Sequence, residues 1–390
     1  MKPLEGVKVL ELARILAGPW AGQLLADLGA DVVKVERPGQ GDDTRDWGPP
    51  FVAAAAGGHV SASYFHATNR GKRSVAADFE SEDGRAVVRR LAASADVVIE
   101  NFKVGGLAKY GLDYPSLAAV NPRLVYCSVT GFGQDGPYAP RPGYDFMIQG
   151  LGGIMSITGE PDGEPVKTAV AYADVFTGIY AAAAVLAALQ GRERTGRGCH
   201  IDMALLDTQV SVLGNQALLY LVSGELPPRM ANEHTSIVPY SVYPTGDGHI
   251  IIACGNDGQF ARLCEVLGTD WADDPAYATN PQRVRNRAAL TPLMRERTRR
   301  FAKADLLGRL TAVNVPVGPI NRLDEVFADP HVLHRGMRLD LPHPSAKGGI
   351  VPTVRSPVVI DGEAMVAASA SPLLGEHTHE VLNDPQWGAA

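Results

Sequence analysis

Residues 7–36 read VKVLELARILAGPWAGQLLADLGADVVKVE, and the pattern predicts the fold class. Residues 7–12 and 31–36 have the apolar composition of buried strands. Between them, residues 21–28 predict a helix that Gly29 closes. A strand, a helix and a second strand in this order form a βαβ unit, which is the building block of a parallel sheet.

The alternation of strands and helices continues along the first 200 residues. Further strands are predicted at residues 74–79, 96–100, 124–128 and 199–203, and a helix at residues 85–94. We therefore expect an α/β fold with a Rossmann-like, doubly wound and mostly parallel sheet.

The pattern changes after residue 204. Residues 205–221 predict one long apolar helix, and residues 238–243 and 249–253 predict a hairpin turning at Asp247-Gly248. Helices are predicted at 259–267, 286–301 and 304–313. These elements indicate a smaller α+β domain at residues 226–330.

Composition limits the classes of partner. The chain has 390 residues and a net charge of −7, which opposes nucleic-acid or anionic-membrane binding and favours a small-molecule partner. The N-terminus shows no signal-peptide pattern, and the longest apolar run, residues 179–189, is too short to cross a bilayer. We expect a cytoplasmic protein without a membrane partner.

Neither a metal nor a dinucleotide is predicted. The four cysteines are scattered, and His377 and His379 have no further ligands nearby in sequence. Gly18 and Gly22 do not form the G-x-G-x-x-G pattern of NAD sites, although Glu36 ends the second predicted strand, where a ribose-binding acid can lie.

Asp174 is the candidate catalytic residue. Residues 168–178 read TAVAYADVFTG and place this carboxylate where an apolar helix, residues 179–189, is predicted to begin. An Asp at that position commonly caps the helix. A reactive carboxylate is the other interpretation.

Several segments together resemble the class III CoA-transferases, the family of formyl-CoA transferase and carnitine CoA-transferase. They are PLEGVKVLE at 3–11, AGP at 17–19, GADVVKVER at 29–37, NRGKRS at 69–74, ENF at 100–102, NPR at 121–123, GYDFMIQGLGG at 143–153, ITG at 157–159, RTGRG at 194–198 and PLLGEH at 372–377. These segments occur in family order over nearly the whole chain.

The resemblance implies an architecture and an activity. It implies a large CoA-binding domain at residues 1–225, completed by the returning segment 331–390, and a homodimer of interlinked subunits. It also implies an enzyme that moves CoA from an acyl-CoA donor to a short carboxylic acid. CoA is then a substrate, and no permanently bound cofactor is expected.

The resemblance also implies roles for single residues. Asp174 would attack the thioester, kept ionised by the positive end of its helix, with Gly152, Gly153 and Ala173 leaving room for the substrate. Positions matching the family's CoA contacts are Leu16, Ala17, Arg37, Ala77, Phe79, Asn101, Phe102 and Lys109. Arg37 and Lys109 would pair with phosphates, and the two phenylalanines would border adenine or pantetheine.

Departures from the family pattern bear on the substrate. Formyl-CoA transferases carry Gln where this chain has Leu16, and a run of glycines where residues 232–240 read NEHTSIVPY. We therefore expect a succinyl-CoA-like donor and a short dicarboxylate such as succinate or glutarate instead of oxalate. His234 or Arg229 is predicted to meet the second carboxylate.

Two alternative functions stay open. A 2-methylacyl-CoA racemase of this family uses a His where this chain has Tyr144, and a phenol, with an ordinary pKa of about 10, is a poor base near neutrality. Tyr144 is instead predicted to contact substrate. A non-catalytic acyl-CoA-binding protein would keep the CoA contacts without needing Asp174.

Overall fold

The computed structural model describes residues 2–388, which form two compact units. The first comprises the residues up to Met155, Lys167–Leu226 and the residues from His331 onward. The second comprises Ser156–Val166 and Pro227–Pro330. The sequence analysis placed residues 156–166 in the large domain, whereas the structure places them in the second unit.

A six-stranded parallel sheet forms the centre of the first unit. Numbered along the chain, its strands are β1 (Lys8–Glu11), β2 (Asp31–Glu36), β5 (Lys72–Ala76), β6 (Val97–Glu100), β7 (Val125–Thr130) and β8 (Cys199–Ala204). Their order is β5-β2-β1-β6-β7-β8, and all neighbours run parallel. The predicted parallel α/β sheet is confirmed. Because β5 ends at Ala76, Ala77 and Phe79 follow this strand, whereas the sequence analysis placed them inside it.

Successive residues of these strands enter two different cores. Val9 and Val32 belong to one cluster, and their neighbours Leu10 and Val33 belong to the other. This follows from the pleat, which points alternate side chains to opposite faces. Both faces are covered, which explains the nearly continuous apolar composition of the strands.

The helices of the first unit supply the other half of each core. They are α1 (Ala17–Asp27), α2 (Ser63–His66), α3 (Glu82–Ser94), α4 (Tyr114–Val120), α5 (Asp145–Leu151), α7 (Tyr172–Thr195), α8 (Leu205–Ser211), α9 (Asn215–Ser223) and α16 (Thr378–Leu382). Residues of α1 and α7 enter the first core, and residues of α3 and α4 enter the second. Three hairpins complete the unit: β3 (Phe51–Ala53) with β4 (His59–Ala62), β12 (Arg338–Pro342) with β13 (Ile350–Val354), and β14 (Val359–Ile360) with β15 (Glu363–Ala364).

The C-terminal segment closes the edge of the sheet at β5. The His377 N–H donates to the Ser74 carbonyl at 2.9 Å, and the Ala76 N–H donates to the Thr378 hydroxyl at 2.9 Å. Trp387 is fully buried in the second core, and its Nε1–H donates to Asp31 Oδ2 at 2.7 Å. The segment therefore shields a strand edge that would otherwise expose unpaired backbone groups.

The helix at Asp174 is longer than the sequence pattern predicted. Apolar residues 179–189 form only the middle of α7, which has 24 residues. Of the helices in residues 2–388, α7 alone is long and apolar enough to cross a membrane by length and composition. The length argument against a membrane span is therefore wrong. One face of α7 nevertheless packs into the first core, as a core helix does.

The single helix predicted over residues 205–221 is two helices. Residue Gly214, which lies between α8 and α9, has φ 55° and ψ −123°. That conformation lies outside the helical region, and glycine adopts it without the penalty that a Cβ brings. Because the apolar pattern continues across Gly214, the sequence did not indicate the break between the two helices.

The second unit is built on a three-stranded antiparallel sheet. Its strands, in the order β11-β10-β9, are β9 (Tyr240–Thr245), β10 (Gly248–Ala253) and β11 (Val317–Pro319). The helices are α10 (Asp257–Leu267), α11 (Asn280–Arg285), α12 (Arg287–Thr298), α13 (Lys303–Ala312) and α14 (Leu323–Ala328). Two short helices, α6 (Ile154–Ile157) and α15 (Pro330–His334), lie where the chain passes between the units.

Candidate active site

A cleft of about 560 Å³ lies at the carboxyl ends of the parallel strands. Segments that end or follow all six strands line it, including residues 14–17 after β1 and 101–104 after β6. The chain proceeds from β1 to β2 on one side and returns to β6 on the other. Ligands of open α/β sheets bind at such a switch point.

The cleft brings together most of the predicted site residues. Those that line it are Leu16, Ala17, Arg37, Ala77, Phe79, Asn101, Phe102, Lys109, Tyr144 and Asp174. His234 is not among its lining residues. It lies in the second unit, where its Nδ1 accepts from the Ser236 N–H at 3.0 Å. Arg229 donates to the carbonyls of Glu160, Pro161 and Gly163, so the structure shows it holding a loop of its own unit.

Aromatic rings and cations form one wall of the cleft. Phe79 meets Phe102 and Tyr110 edge to face, each at 5.5 Å between ring centroids. The Lys109 ammonium lies 4.5 Å from the centre of the Tyr110 ring. Such a wall can hold a heterocycle against its rings while cations meet phosphates.

Sequence reasoning missed several residues of this wall. Tyr110 and the cations Arg14, Lys103 and Arg141 also line the cleft. Arg14 and Lys103 each lie three residues after the end of a strand, so the position after a strand was an available signal for them. Tyr110 lies next to the predicted Lys109. Arg141 follows no strand directly, and the Gly/Pro-rich segment around it gave no signal. Within residues 2–388 no group of three or more His, Cys, Asp or Glu is placed to hold a metal ion.

Asp174 occupies the first turn of α7, but it does not cap that helix. The helix begins at Tyr172, and Ala171 precedes it without a capping side chain. The carboxylate of Asp145, the first residue of α5, takes this role: its Oδ1 accepts from the Ala173 N–H at 2.8 Å and the Asp174 N–H at 3.4 Å. The cap interpretation of Asp174 is therefore wrong.

Asp145 is itself held in position by Gln149. The Gln149 side-chain amide donates to Asp145 Oδ2 at 2.7 Å, and its oxygen accepts from the Thr168 N–H at 2.9 Å. The start of α7 is thus fixed by a side chain that lies 29 residues earlier in the sequence. Asp174 is left free of capping and directed to the cleft.

The pKa of Asp174 is raised to about 7, first by burial and then by the negative charge of Asp145. No cationic side chain among residues 2–388 pairs with this carboxylate. Desolvation and the like charge of Asp145 thus act against the ionisation that we expected from the helix N-terminus.

The glycines that shape the cleft are not those predicted. Gly131 and Gly143 line it, and a Cβ on Gly143 would lie 2.4 Å from the Gly131 Cα. The two backbones touch because neither residue has a side chain. Gly152 instead faces Gln209, whose Cγ would lie 2.2 Å from a Cβ at that position. The lining residues include neither Gly152 nor Gly153.

Buried ion pairs support the opposite side of the cleft. Arg45 binds Glu36 at 2.7 Å, and the Ser74 hydroxyl donates to the same carboxylate at 2.7 Å. Lys34 binds Asp42 at 2.9 Å. Glu36, weighed as a ribose-binding acid, is thus already paired, and it supports the wall from within.

Comparison with known proteins gives similarity over both units. A sequence profile described as CoA-transferase family III matches residues 4–378. A succinate–glutarate CoA-transferase of Agrobacterium fabrum is 56% identical over 381 residues, covering 97% of this chain and 95% of that protein. A succinyl-CoA:glutarate CoA-transferase of Homo sapiens is 42% identical, covering 98% and 86%. The crystal structure of a CaiB/BaiF family protein from Brucella suis matches with a TM-score of 0.87 and 58% identity, covering 97% and 98%.

Proposed function

The chain belongs to CoA-transferase family III, and on that premise we propose that it moves CoA from succinyl-CoA to glutarate or a similar short dicarboxylate. The family resemblance stated from sequence is confirmed, and the chain is an enzyme. The observation that supports the reaction is the position of Asp174. It is a carboxylate without a cationic partner among residues 2–388, in a cleft walled by aromatic rings and cations.

The proposed reaction passes through Asp174 twice. Its carboxylate attacks the thioester carbonyl of the donor, the carbon–sulfur bond breaks, and a mixed anhydride and the CoA thiolate result. The thiolate then attacks the Asp174 carbonyl of the anhydride. This step releases the donor acid and leaves an aspartyl-CoA thioester.

The second half reverses these steps with a new acid. The acceptor carboxylate attacks the aspartyl thioester and expels the CoA thiolate, giving a second anhydride. The thiolate attacks the acceptor's acyl carbon, which forms the new thioester and returns Asp174 as a carboxylate. CoA must stay bound while it is a free thiolate, because its retention makes each return intramolecular.

The wall of the cleft supports CoA retention. We assign Arg37 and Lys109 to phosphate contacts and the Phe79–Phe102 pair to adenine or pantetheine. Both cations are exposed, so they can turn toward an incoming anion. Leu16 and Ala17 border the same space from the β1–α1 turn.

The racemase alternative fits the cleft less well. A racemase needs a second base opposite Asp174, and no histidine is among the described residues that line the cleft. Tyr144 occupies the position of that base and is exposed. We therefore place Tyr144 at the substrate, without a proton-transfer role. A silent binding protein would have no use for a carboxylate held without a countercharge.

A transfer assay tests the proposal directly. Purified protein is incubated with succinyl-CoA and a panel of acids, and the new thioesters are identified by mass spectrometry. We expect glutaryl-CoA to form fastest, and formyl-CoA with oxalate to be a poor pair. A kcat/KM for formyl-CoA with oxalate that equals the succinyl-CoA value contradicts the assignment. Rapid deuterium uptake by a 2-methylacyl-CoA in D₂O without transfer favours the racemase.

We also propose that the enzyme is a homodimer, as the family resemblance implies. None of the residues of α9 is buried, and Leu221 and Val222 are 71% and 82% exposed. Exposed apolar side chains also occur on α5 and α7, such as Phe146 and Ile179. A second copy of the chain is the occupant that we infer, because a helix with no buried residue gains little from its own subunit. Light scattering should give twice the chain mass, and a monomer at micromolar concentration contradicts the dimer.

A further inference from the structure

Ile15 in the turn between β1 and α1 has a left-handed backbone with φ 72°. A β-branched side chain rarely adopts this conformation, because its Cβ substituents crowd the backbone. The turn lines the cleft, and Leu16 and Ala17 follow it directly. A residue in such a conformation persists only where neighbouring groups hold it there.

Asn101 holds the turn on one side. Its Oδ1 accepts from the Arg14 N–H at 2.9 Å, and its Nδ2 donates to the Arg14 carbonyl at 2.6 Å. Both polar atoms of this side chain are therefore used by the backbone of the residue before Ile15. Two opposed hydrogen bonds to one residue fix the orientation of the peptide units on each side of it.

Asp42 holds the turn on the other side. Its carboxylate oxygens accept from the Ile15 N–H at 3.2 and 3.3 Å. Asp42 is fixed in turn by Lys34 and by the backbone and hydroxyl of Thr44. On this side the turn is therefore held by a buried and fully partnered carboxylate.

We propose that Asn101 is a positioning residue that promotes CoA binding, because it locks the strained β1–α1 turn in the form that accepts CoA. This inference rests on the proposed function, since CoA is the ligand concerned. It reassigns Asn101 from a direct contact to a clamp between two strand ends. The segment that carries the clamp is itself fixed, because the Phe102 N–H donates to Glu100 Oε2 at 2.7 Å.

A double-mutant cycle separates a clamp from a direct contact. The four proteins are the wild type, Asn101→Ala, Ile15→Gly and the double variant, and the probe is CoA by titration calorimetry. Without the clamp, Ile15 leaves the left-handed region, so Asn101→Ala should raise the Kd for CoA about tenfold. Glycine occupies that region freely, so the same change in the Ile15→Gly background should raise the Kd less than about threefold.

The results of the cycle distinguish a clamp on the turn from a direct contact with CoA. An equal factor in both backgrounds, or no effect of Asn101→Ala on Kd, overturns the clamp. A loss of thermal stability with unchanged Kd overturns it as well, because it shows a purely structural residue. If Asn101→Ala does not fold, Asn101→Asp keeps the acceptor for the Arg14 N–H and loses the donor, and its effect should likewise shrink in the Ile15→Gly background.

The failure of the inference is distinct from that of the proposed function. A wild type that binds CoA but transfers none overturns the proposed reaction and leaves the cycle readable. A wild type that transfers CoA and shows an additive cycle overturns only the clamp. A wild type that does not bind CoA overturns both.

Discussion

The two sides of the cleft shift the pKa of their carboxylates in opposite directions. On the β2 side, burial works to raise the pKa of Glu36, but the hydrogen bonds and charge of Arg45 outweigh it and hold that pKa below its ordinary value. Burial likewise opposes ionisation of Asp42, and Lys34 and Thr44 outweigh it there. At α7, burial and Asp145 raise the pKa of Asp174 to about 7. Desolvation is thus outweighed where a cation is supplied, so the pKa falls, and it prevails where no cation is supplied, so the pKa rises.

The contrast distinguishes the paired carboxylates that support the wall of the cleft from the carboxylate that we propose to react. A paired carboxylate is a poor nucleophile, because attack would cost it its hydrogen bonds. Asp174 has no such bonds to lose among residues 2–388, and a carboxylate of raised basicity is a better nucleophile once ionised.

Replacing Asp174 should have the largest effect. We expect Asp174→Asn to lower kcat for CoA transfer by about 10⁴-fold, because the amide cannot form the anhydride. The wild type should also gain a CoA adduct on the peptide that contains Asp174, labile to hydroxylamine. Mass spectrometry and steady-state assays measure both.

Asp207→Asn is the matched control for this loss. Asp207 is the third residue of α8, as Asp174 is of α7, but it is exposed and does not line the cleft. Its variant should transfer CoA at nearly the wild-type rate. If Asp174→Asn folds and also keeps that rate, the covalent route through Asp174 is wrong.

Removing a carboxylate on the paired side should act on stability. Glu36→Gln leaves Arg45 buried without its countercharge, at a cost of roughly 3–5 kcal/mol in the free energy of unfolding. Denaturant titration measures the change. Glu82→Gln breaks an exposed ion pair with Arg85 and should cost less than about 1 kcal/mol. Equal losses in the two variants contradict the role given to Arg45.

The pH profile should report the raised pKa of Asp174. Because the carboxylate is the reactive form, kcat/KM should fall about tenfold per pH unit below about 7 and level off above it. Asp145→Asn keeps an oxygen that can cap α7 but removes the neighbouring charge, so the midpoint should move about one pH unit lower. A midpoint near 4 in the wild type contradicts the effect of burial, and an unmoved midpoint in Asp145→Asn contradicts the effect of its charge.

The smallest effect concerns stability at Asp174. A pKa raised on folding contributes stability below the unfolded pKa of about 3.9, and this contribution is lost as pH rises through about 7. Asp174→Asn removes the cost of ionising this carboxyl in the folded protein. The variant should therefore be more stable than the wild type by about 1–3 kcal/mol at pH 8 and by less at pH 5. Unfolding curves at the two pH values measure the difference. Destabilisation at pH 8 indicates that Asp174 supports the fold.

Local pattern was sufficient for the sheet and, with the family motifs, for part of the lining of the cleft. Strands such as β2 are short apolar runs bounded by turns, and their carboxyl ends meet at one edge whatever the connections between them. The residues after each strand therefore fall together, and the family motifs selected those that matter. Phe79 and Asn101 were found in this way.

The features that the local pattern did not predict depend on side chains that are distant in sequence. Asp145 caps α7 across 28 intervening residues, so the chain near Asp174 gave no sign of where the helix begins. The partner of Glu36 was equally hidden, because Arg45 lies on a loop without a regular pattern. The pKa of Asp174 depends on both burial and Asp145, and neither can be read from residues 168–178.

The packing of Trp387 has a consequence for biosynthesis. This residue fills the core against β2, although 356 positions separate it from its partner Asp31 in that strand. During synthesis β2 is made long before Trp387, so a nascent chain that has not reached Trp387 holds one face of its sheet incompletely covered. Products truncated before Trp387 would expose apolar surface that folding chaperones recognise.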